Sequence, residues 1–416
     1  MAAATVLLGL AVLIVAVAWR PHGWGPALGV GTAVAVAASG GAIEPGDLLA
    51  ALRAQWRAYA TLASVMIMTT AAERLGLIDR LASVIEPRTR GPVRRAFRVT
   101  FALSACVAAV LSNDAAILLM TPTVIVLLRT VYPRRHPKFL VPFAFAVFAS
   151  AGVAPLVISN PMNLIFAGHA GIDFNTYARH MVPVAVAGSL TAYVVLAWLY
   201  RDVLDDPAPA LGAWPEVRPL SIHARLVLAI VAVALSAYPI VAYAGVAVWP
   251  VAVAGAMLCA VVAALAGESP RALARGIAWS IFPFLLGVFV LAVALERVGV
   301  VEWLRSLYAR PHPMATVGVV SAVGSALLNN HPMSVLNAFA LEGGRDVHHA
   351  HAFAALIGGD LGPRLLPVGS LAALLWYDCL RRHGVPIRLA TFIRVGACLT
   401  APTLAVSLFT LWLTMR

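Results

Sequence analysis

The chain has 416 residues, of which 61% are hydrophobic and 12% charged, with a net charge of +12 and a mean hydropathy of +0.89. Soluble domains average about 45–50% apolar and about 25% charged residues, so a soluble globular class is excluded and an all-α polytopic membrane protein is expected. The four cysteines, Cys106, Cys259, Cys379 and Cys398, stand alone without CxxC or Cys/His spacing; no disulfide framework, metal site or cofactor is implied.

Apolar stretches close to the roughly 20 residues that a spanning helix needs recur along the chain. In the first half they are about 3–19, 26–43, 58–72, 140–170 and 182–200. In the second they are about 224–243, 247–266, 277–295, 351–377 and 395–414. The first also resembles a secretory leader ending at Ala16-Val17-Ala18, but no Lys or Arg precedes it, and a basic n-region is expected of a leader; a retained helix is the reading. Two further stretches, about 96–128 and 314–341, are interrupted at their centres by polar tips and read as re-entrant hairpins.

The basic residues occupy short connections and not an amphipathic face, which argues for the positive-inside rule and against a nucleic-acid partner. Arg74, Arg80, Arg88, Arg90, Arg94, Arg95 and Arg98 precede the first hairpin, and Arg129, Arg134, Arg135 and Lys138 follow it. Both its ends are therefore assigned to the cytoplasm, which places both termini outside.

An internal repeat supports two halves. Glu73-Arg74-Leu75-Gly76-Leu77-Ile78-Asp79 matches Glu296-Arg297-Val298-Gly299-Val300-Val301-Glu302, and Asn113-Asp114 matches Asn329-Asn330. Residues 1–200 and 224–416 each hold five spans and one hairpin, joined by a cytoplasmic linker at 201–223 rich in Asp and Pro. An odd number of crossings inverts the second copy, so the hairpin tips are expected to meet near the midplane, the arrangement in which secondary transporters bind their cargo.

Each half also carries polar, Pro-interrupted sequence at membrane depth: Ser112-Asn113-Asp114 and Ser159-Asn160-Pro161-Met162-Asn163, then Asn329-Asn330-His331-Pro332 and the run Gly359–Ser370. Backbone freed from a helix inside a bilayer is tolerated only against protein or a cavity. Asn, Ser and Asp suit the new caps, and Pro suits a helix start. Ser112, Asn113, Asn160, Asn163, Asn329, Asn330, Gly369 and Ser370 are thus the expected substrate-binding residues. Their amides offer donors and acceptors with little charge, which suits a small neutral hydroxylated solute or a weakly hydrated cation. Asp114 and Asp360 are carboxylates at membrane depth and are the expected proton-coupling groups, although Arg364, four residues after Asp360, offers it a structural ion pair. Glu73 and Glu296 read as interfacial pairing residues. The histidines His348, His349 and His351 read as a hydrated loop.

The stretches Asn113-Asp114-Ala115-Ala116-Ile117-Leu118, Pro155-Leu156-Val157-Ile158-Ser159-Asn160, Asn329-Asn330 with Pro332, and Ile357-Gly358-Gly359-Asp360-Leu361-Gly362-Pro363-Arg364 through Trp376 resemble the arsenite and antimonite efflux carriers, the arsenical pump membrane proteins of the ion transporter superfamily. The resemblance runs nearly end to end. It implies a bacterial inner-membrane secondary carrier that exports arsenite or antimonite as the neutral trihydroxide in exchange for protons. Among partners it implies the lipid bilayer, a soluble arsenite-stimulated ATPase subunit of the kind that energises some members, and a homodimer. The chain itself has no Walker A pattern. It departs from the family in carrying Ser150 where an acid is usual, His331 where an apolar residue is usual, and Pro161-Met162.

Two other readings have sequence support. A sodium/proton antiporter or sodium-coupled anion carrier would share the superfamily's tips. An intramembrane aspartyl protease would use Tyr377-Asp378 and Gly359-Asp360, but Ile357 occupies the first Gly position of its GxGD pattern and the Tyr-Asp pair comes after instead of before.

Overall fold

The computed structural model describes residues 2–19, 26–77, 80, 92–110, 113–132, 136–206, 219–342, 349–385 and 387–416. Among these, all regular structure is helical. Helices Phe174–Leu199, Ile222–Tyr243, Pro270–Arg297 (with a break near 277–280) and Leu389–Thr414 are each long and apolar enough to cross a membrane, and several shorter apolar helices accompany them.

The first half runs α1 (Ala2–Trp19), α2 (Pro26–Ser39) and α3 (Pro45–Arg74), then α4 (Val93–Val110) and α5 (Asn113–Val131), which pack on one another as the two limbs of a hairpin. Next come α6 (Val141–Ser150) and α7 (Pro161–His169), the halves of a helix broken over 151–160, and then α8 (Phe174–Leu199). The second half runs α9 (Ile222–Tyr243), α10 (Trp249–Leu265), α11 (Ile281–Arg297) and the short α12 (Val300–Tyr308). It continues with a second hairpin, α13 (Pro313–Leu328) and α14 (Asn330–Glu342), a second broken helix, α15 (His349–Leu361) and α16 (Leu371–Arg382), and finally α17 (Leu389–Thr414).

The expected spans and hairpins overlap these helices, with the largest differences at three starts: α3 begins at Pro45 instead of 58, α8 at Phe174 instead of 182, and α17 at Leu389 instead of 395. The first 13 residues of α3 carry Asp47, Arg53, Gln55 and Arg57, so hydropathy misses them. Asp47 closes a capping box with the Glu44 backbone and takes a bidentate guanidinium from Arg297, at 2.7 and 2.8 Å. Arg74 pairs with Glu268 at 3.4 Å. At both helix ends it is the arginine that pairs, each with an acid of the opposite half, and of the two glutamates Glu296 lies 3.9 Å from Arg305. In the linker, Asp205 takes Arg94 at 2.8 Å, an exposed pair, while 207–218 lie outside the described residues.

Lipid exposure is legible on α8. Val186, Leu190, Val194 and Trp198 recur every fourth residue and are all exposed, while Tyr177, Met181, Val184, Gly188, Ala192 and Leu196 on the other face are buried. A helix apolar on both faces belongs in a bilayer. Its buried face meets α17, where a Cβ on Gly188 would stand 2.8 Å from Ser407 Oγ, the small-residue contact that lets membrane helices approach. Around the second break the approach is closer still: Gly358 and Gly362 lie against the backbone carbonyls of Gly318 and Ala322 on α13, where any side chain would collide.

Candidate functional site

Both breaks follow from their sequences. After Ser150 the chain leaves the helix through Ala151, Gly152 and Pro155, passes a short 3-10 turn, and restarts at Pro161 behind an extended Asn160 whose Oδ1 accepts from the Met162 N–H at 3.1 Å. After Leu361 it runs through two 3-10 turns begun near Pro363 and Pro367, then restarts behind Ser370, whose hydroxyl accepts from the Ala373 N–H at 3.0 Å. Asn160 and Ser370 are therefore N-caps, as their residue types favour.

Each hairpin tip is tied to the break of its own half. Asn113 Nδ2 donates to the Gly152 carbonyl at 3.1 Å, and Asn329 Nδ2 donates to the Val368 carbonyl at 3.0 Å, each 39 residues downstream. A carbonyl released by a helix break needs a donor when buried, and the tip amides supply it. Ser159 adds a second tie, donating to the Ala109 carbonyl at the end of α4. Asn329 has φ 83° and ψ 147°, a region nearly reserved for Gly and a mark of stored strain where another residue holds it. Its Oδ1 accepts from the His331 N–H at 3.3 Å.

The two breaks engage each other through one acid and one base. Asp360 Oδ1 accepts from Asn160 Nδ2 at 2.7 Å; Oδ2 accepts from the Ala154 N–H at 2.9 Å and from Asn163 Nδ2 at 3.0 Å. Asn163 Nδ2 also donates to the Tyr177 hydroxyl, which donates to the Ala154 carbonyl. A carboxylate at the start of α7 is stabilised by these donors and by the positive end of that helix. Arg364, 3% exposed, donates to the Ala149 carbonyl and, at 3.5 Å, to the Thr403 hydroxyl. Its cation therefore meets the carbonyl end of α6, the complementary pole. Asp360 and Arg364 do not form the i,i+4 ion pair that their spacing offers; each serves a different half of the other broken helix.

Of the expected substrate residues, Asn113, Asn160, Asn163, Asn329, Asn330 and Ser370 are buried at or beside the breaks. Gly369 is buried against Pro363 and Ser325. Asn163 Oδ1, Asn330 Oδ1 and His331 Nε2 have no hydrogen-bond partner, so acceptor capacity remains inside the protein. Ser112 and the Asp114 side chain lie outside the described residues, as does His348; His349 and His351 sit in the first turn of α15. Two residues that sequence reading passed over carry buried, unpartnered hydroxyls in the same region: Ser325 and Ser334.

A cavity of about 660 Å³ opens beside the N-terminal part of α3, the C-terminal end of α7 and the α9–α10 connection. Arg53, Arg57, Gln55, His169 and Asp173 line it. A second, much smaller space of about 10 Å³ shares Gln55, Ile165, His169 and Phe289 with it and reaches Met162, His331 and Ser334.

The family model described as "Arsenical pump membrane protein" matches residues 3–415. The arsenical pump membrane protein of Escherichia coli (strain K12) is 28% identical over 421 residues, covering 95% of each chain. The putative arsenical pump membrane protein of Bacillus subtilis (strain 168) is 25% identical over 416 residues, covering 93% of this chain and 94% of that one. Among solved structures, the Alcanivorax borkumensis YdaH transporter superposes with a TM-score of 0.53 at 16% identity, covering 88% of this chain and 86% of that chain. Neisseria gonorrhoeae MtrF gives 0.51 at 12%, covering 85% and 80%. At those identities the two structures speak for the fold.

Proposed function

The chain belongs to the arsenical pump membrane protein family, and we propose that it is a proton-coupled secondary carrier of the bacterial inner membrane that exports arsenite or antimonite as the neutral trihydroxide. The observation that carries the coupling is Asp360 on the amides of Asn160 and Asn163. Its Oδ1 accepts one hydrogen bond and keeps a second lone pair. A hydroxyl of the solute and a proton compete for that lone pair: an ionised carboxylate accepts the hydroxyl, and protonation removes the acceptor and releases the cargo. Asn163 Oδ1 and Asn330 Oδ1, both unpartnered, are suited to accept the remaining hydroxyls. Asn113, Asn329, Gly369 and Ser370 hold the tips and caps around this point, with Ser112 and Asp114 completing the first tip, Asp114 as a second proton-coupling group.

Division into two inverted halves, 1–200 and 224–416, is supported by the paired 39-residue ties and by the matched Glu-Arg helix ends. Alternating access is supported by the large cavity, which opens on the face that the positive-inside reading assigns to the exterior. The four free cysteines lie on separate helices, in keeping with amide and not thiolate recognition. The protease reading finds no support, because Asp378 is engaged by Arg382 at 2.6 Å and Asp360 by amides. An ATPase subunit and a second copy of the chain are further partners that the family admits.

The test is arsenite uptake into everted vesicles. The wild type accumulates arsenite when a pH gradient is imposed. Asp360→Asn loses the gradient-driven accumulation but retains arsenite/arsenite exchange, because an amide oxygen still accepts a hydroxyl. Sodium-dependent anion uptake, or normal pH-driven accumulation by Asp360→Asn, contradicts the reading.

A further inference from the structure

Gly359, one residue before Asp360, has no side chain, and the space that a side chain would fill is bordered by three different helices. A Cβ built there stands 2.8 Å from the Met162 terminal methyl, 3.6 Å from Ser334 Oγ and 3.9 Å from Ser325 Oγ. Met162 comes from α7, Ser334 from α14 and Ser325 from α13, so both limbs of the second hairpin and the restarted first broken helix converge on one point.

The two hydroxyls are unspent, as are those of Ser104, Thr400 and Ser407 elsewhere in the protein, but these two face the same glycine. Serine and threonine in membrane helices ordinarily return their hydrogen to the carbonyl one turn back, and Ser64, Thr61, Thr70 and Thr121 do so in this protein. Ser325 and Ser334, 0% and 3% exposed, make no such bond and have no other partner. A buried hydroxyl left unpaired costs about 1–3 kcal/mol, and two of them facing one glycine imply an occupant. Its chemistry is set by the lining: two groups that both donate and accept and a thioether, with His331, whose Nε2 is unpartnered, beside Ser334 and Met162 in the small space and no Lys or Arg among them. The small space lined by Ser334 and Met162 leads by way of Gln55 and His169 toward the large cavity.

We infer that the face of Gly359 between Ser325 and Ser334 is the subsite for the hydroxyl groups of the transported neutral trihydroxide, and that the end of the Met162 side chain fills it in the present conformation. The inference rests on the proposed cargo and adds the place where it sits. Methionine is the side chain best able to leave, since its unbranched chain re-packs at low cost. The solute enters as Met162 withdraws, gains hydroxyl bonds from both hairpin limbs, and lies next to the carboxylate that the proton contests.

The test measures initial arsenite uptake against arsenite concentration in everted vesicles. Ser325→Ala and Ser334→Ala each raise KM about fivefold, the loss of one neutral hydrogen bond, with Vmax retained. Gly359→Ala raises it at least about tenfold, through occupation of the subsite by a methyl group. Because Gly359→Ala also crowds Met162, the double variant Gly359→Ala with Met162→Ala separates the two effects: KM stays high if the subsite is filled and returns to the wild-type value if the only fault was the clash. Met162→Ala alone lowers KM. Unchanged KM in both serine variants, or recovery in the double variant, overturns the subsite while leaving the carrier reading intact. Absence of arsenite and antimonite uptake by the wild type overturns the carrier reading itself and the subsite with it.

Discussion

Asp360 reaches Asn160 at 2.7 Å across 200 residues of sequence, and that bond joins the second broken helix to the N-cap of the first. With Arg364 on the carbonyl end of α6, it makes the two breaks mutually dependent: one contributes the charges and the other the helix poles. In the proposed mechanism a proton arriving at Asp360 would act on both breaks at once, which is what coupling a gradient to a conformational change requires.

Arg364 holds the α6 pole, so its loss should be felt as stability. Arg364→Met leaves the Ala149 carbonyl buried without its donor, a cost of about 1–3 kcal/mol. Arg364→Lys keeps the charge but loses the two-armed reach to Ala149 and Thr403. Thermal unfolding in detergent is expected to rank wild type above Lys above Met; equal midpoints for all three would show that the guanidinium contributes nothing there.

Asn329 combines a strained backbone with a tie to Val368. Asn329→Gly relieves the strain, and Asn329→Ala retains it while removing the amide; both lose the tie. The alanine variant should be the less stable of the two by about 1–3 kcal/mol, and both should bind arsenite more weakly than wild type. A more stable alanine variant would place the cost elsewhere than in the backbone of the tip.

Much of this architecture is legible in the sequence. Hydropathy marks the spans, and Asn, Ser and Pro mark the tips and restarts because the physics of capping and of a missing N–H is local. What is not legible is long-range or stereochemical. The partner of Asp360 lies 200 residues away, and the nearby Arg364 is the wrong answer because its guanidinium reaches α6 instead. Ser325 and Ser334 look like ordinary helix serines, and only their convergence on Gly359 with hydroxyls unspent distinguishes them. The start of α3 is hidden because Arg53, Gln55 and Arg57 face a cavity and not lipid.

At the rim of the large cavity, Asp173 caps α8. Partial burial works to raise its carboxyl, but hydrogen bonds from the Thr176 hydroxyl and the Thr176 and Asn175 backbone outweigh it, so the group titrates below the usual carboxylate range. A depressed folded-state value means that the stabilisation is present above the unfolded value and lost as pH falls through the folded one. Asp173→Ala should cost about 1 kcal/mol at neutral pH, and the gap from wild type should close as pH falls below about 4. A gap that persists in acid would assign the effect to packing.

Exchange of a neutral trihydroxide for protons at Asp360 can be followed with purified protein in liposomes that enclose a pH-sensitive dye. When arsenite is added outside with no pre-set pH gradient, inward movement of the solute should drive protons out and turn the lumen alkaline, and Asp360→Asn liposomes preloaded with arsenite should exchange it for labelled arsenite with no change in dye signal. Arsenite entry through the wild type with a silent dye, or an alkaline shift that survives in Asp360→Asn, would contradict it.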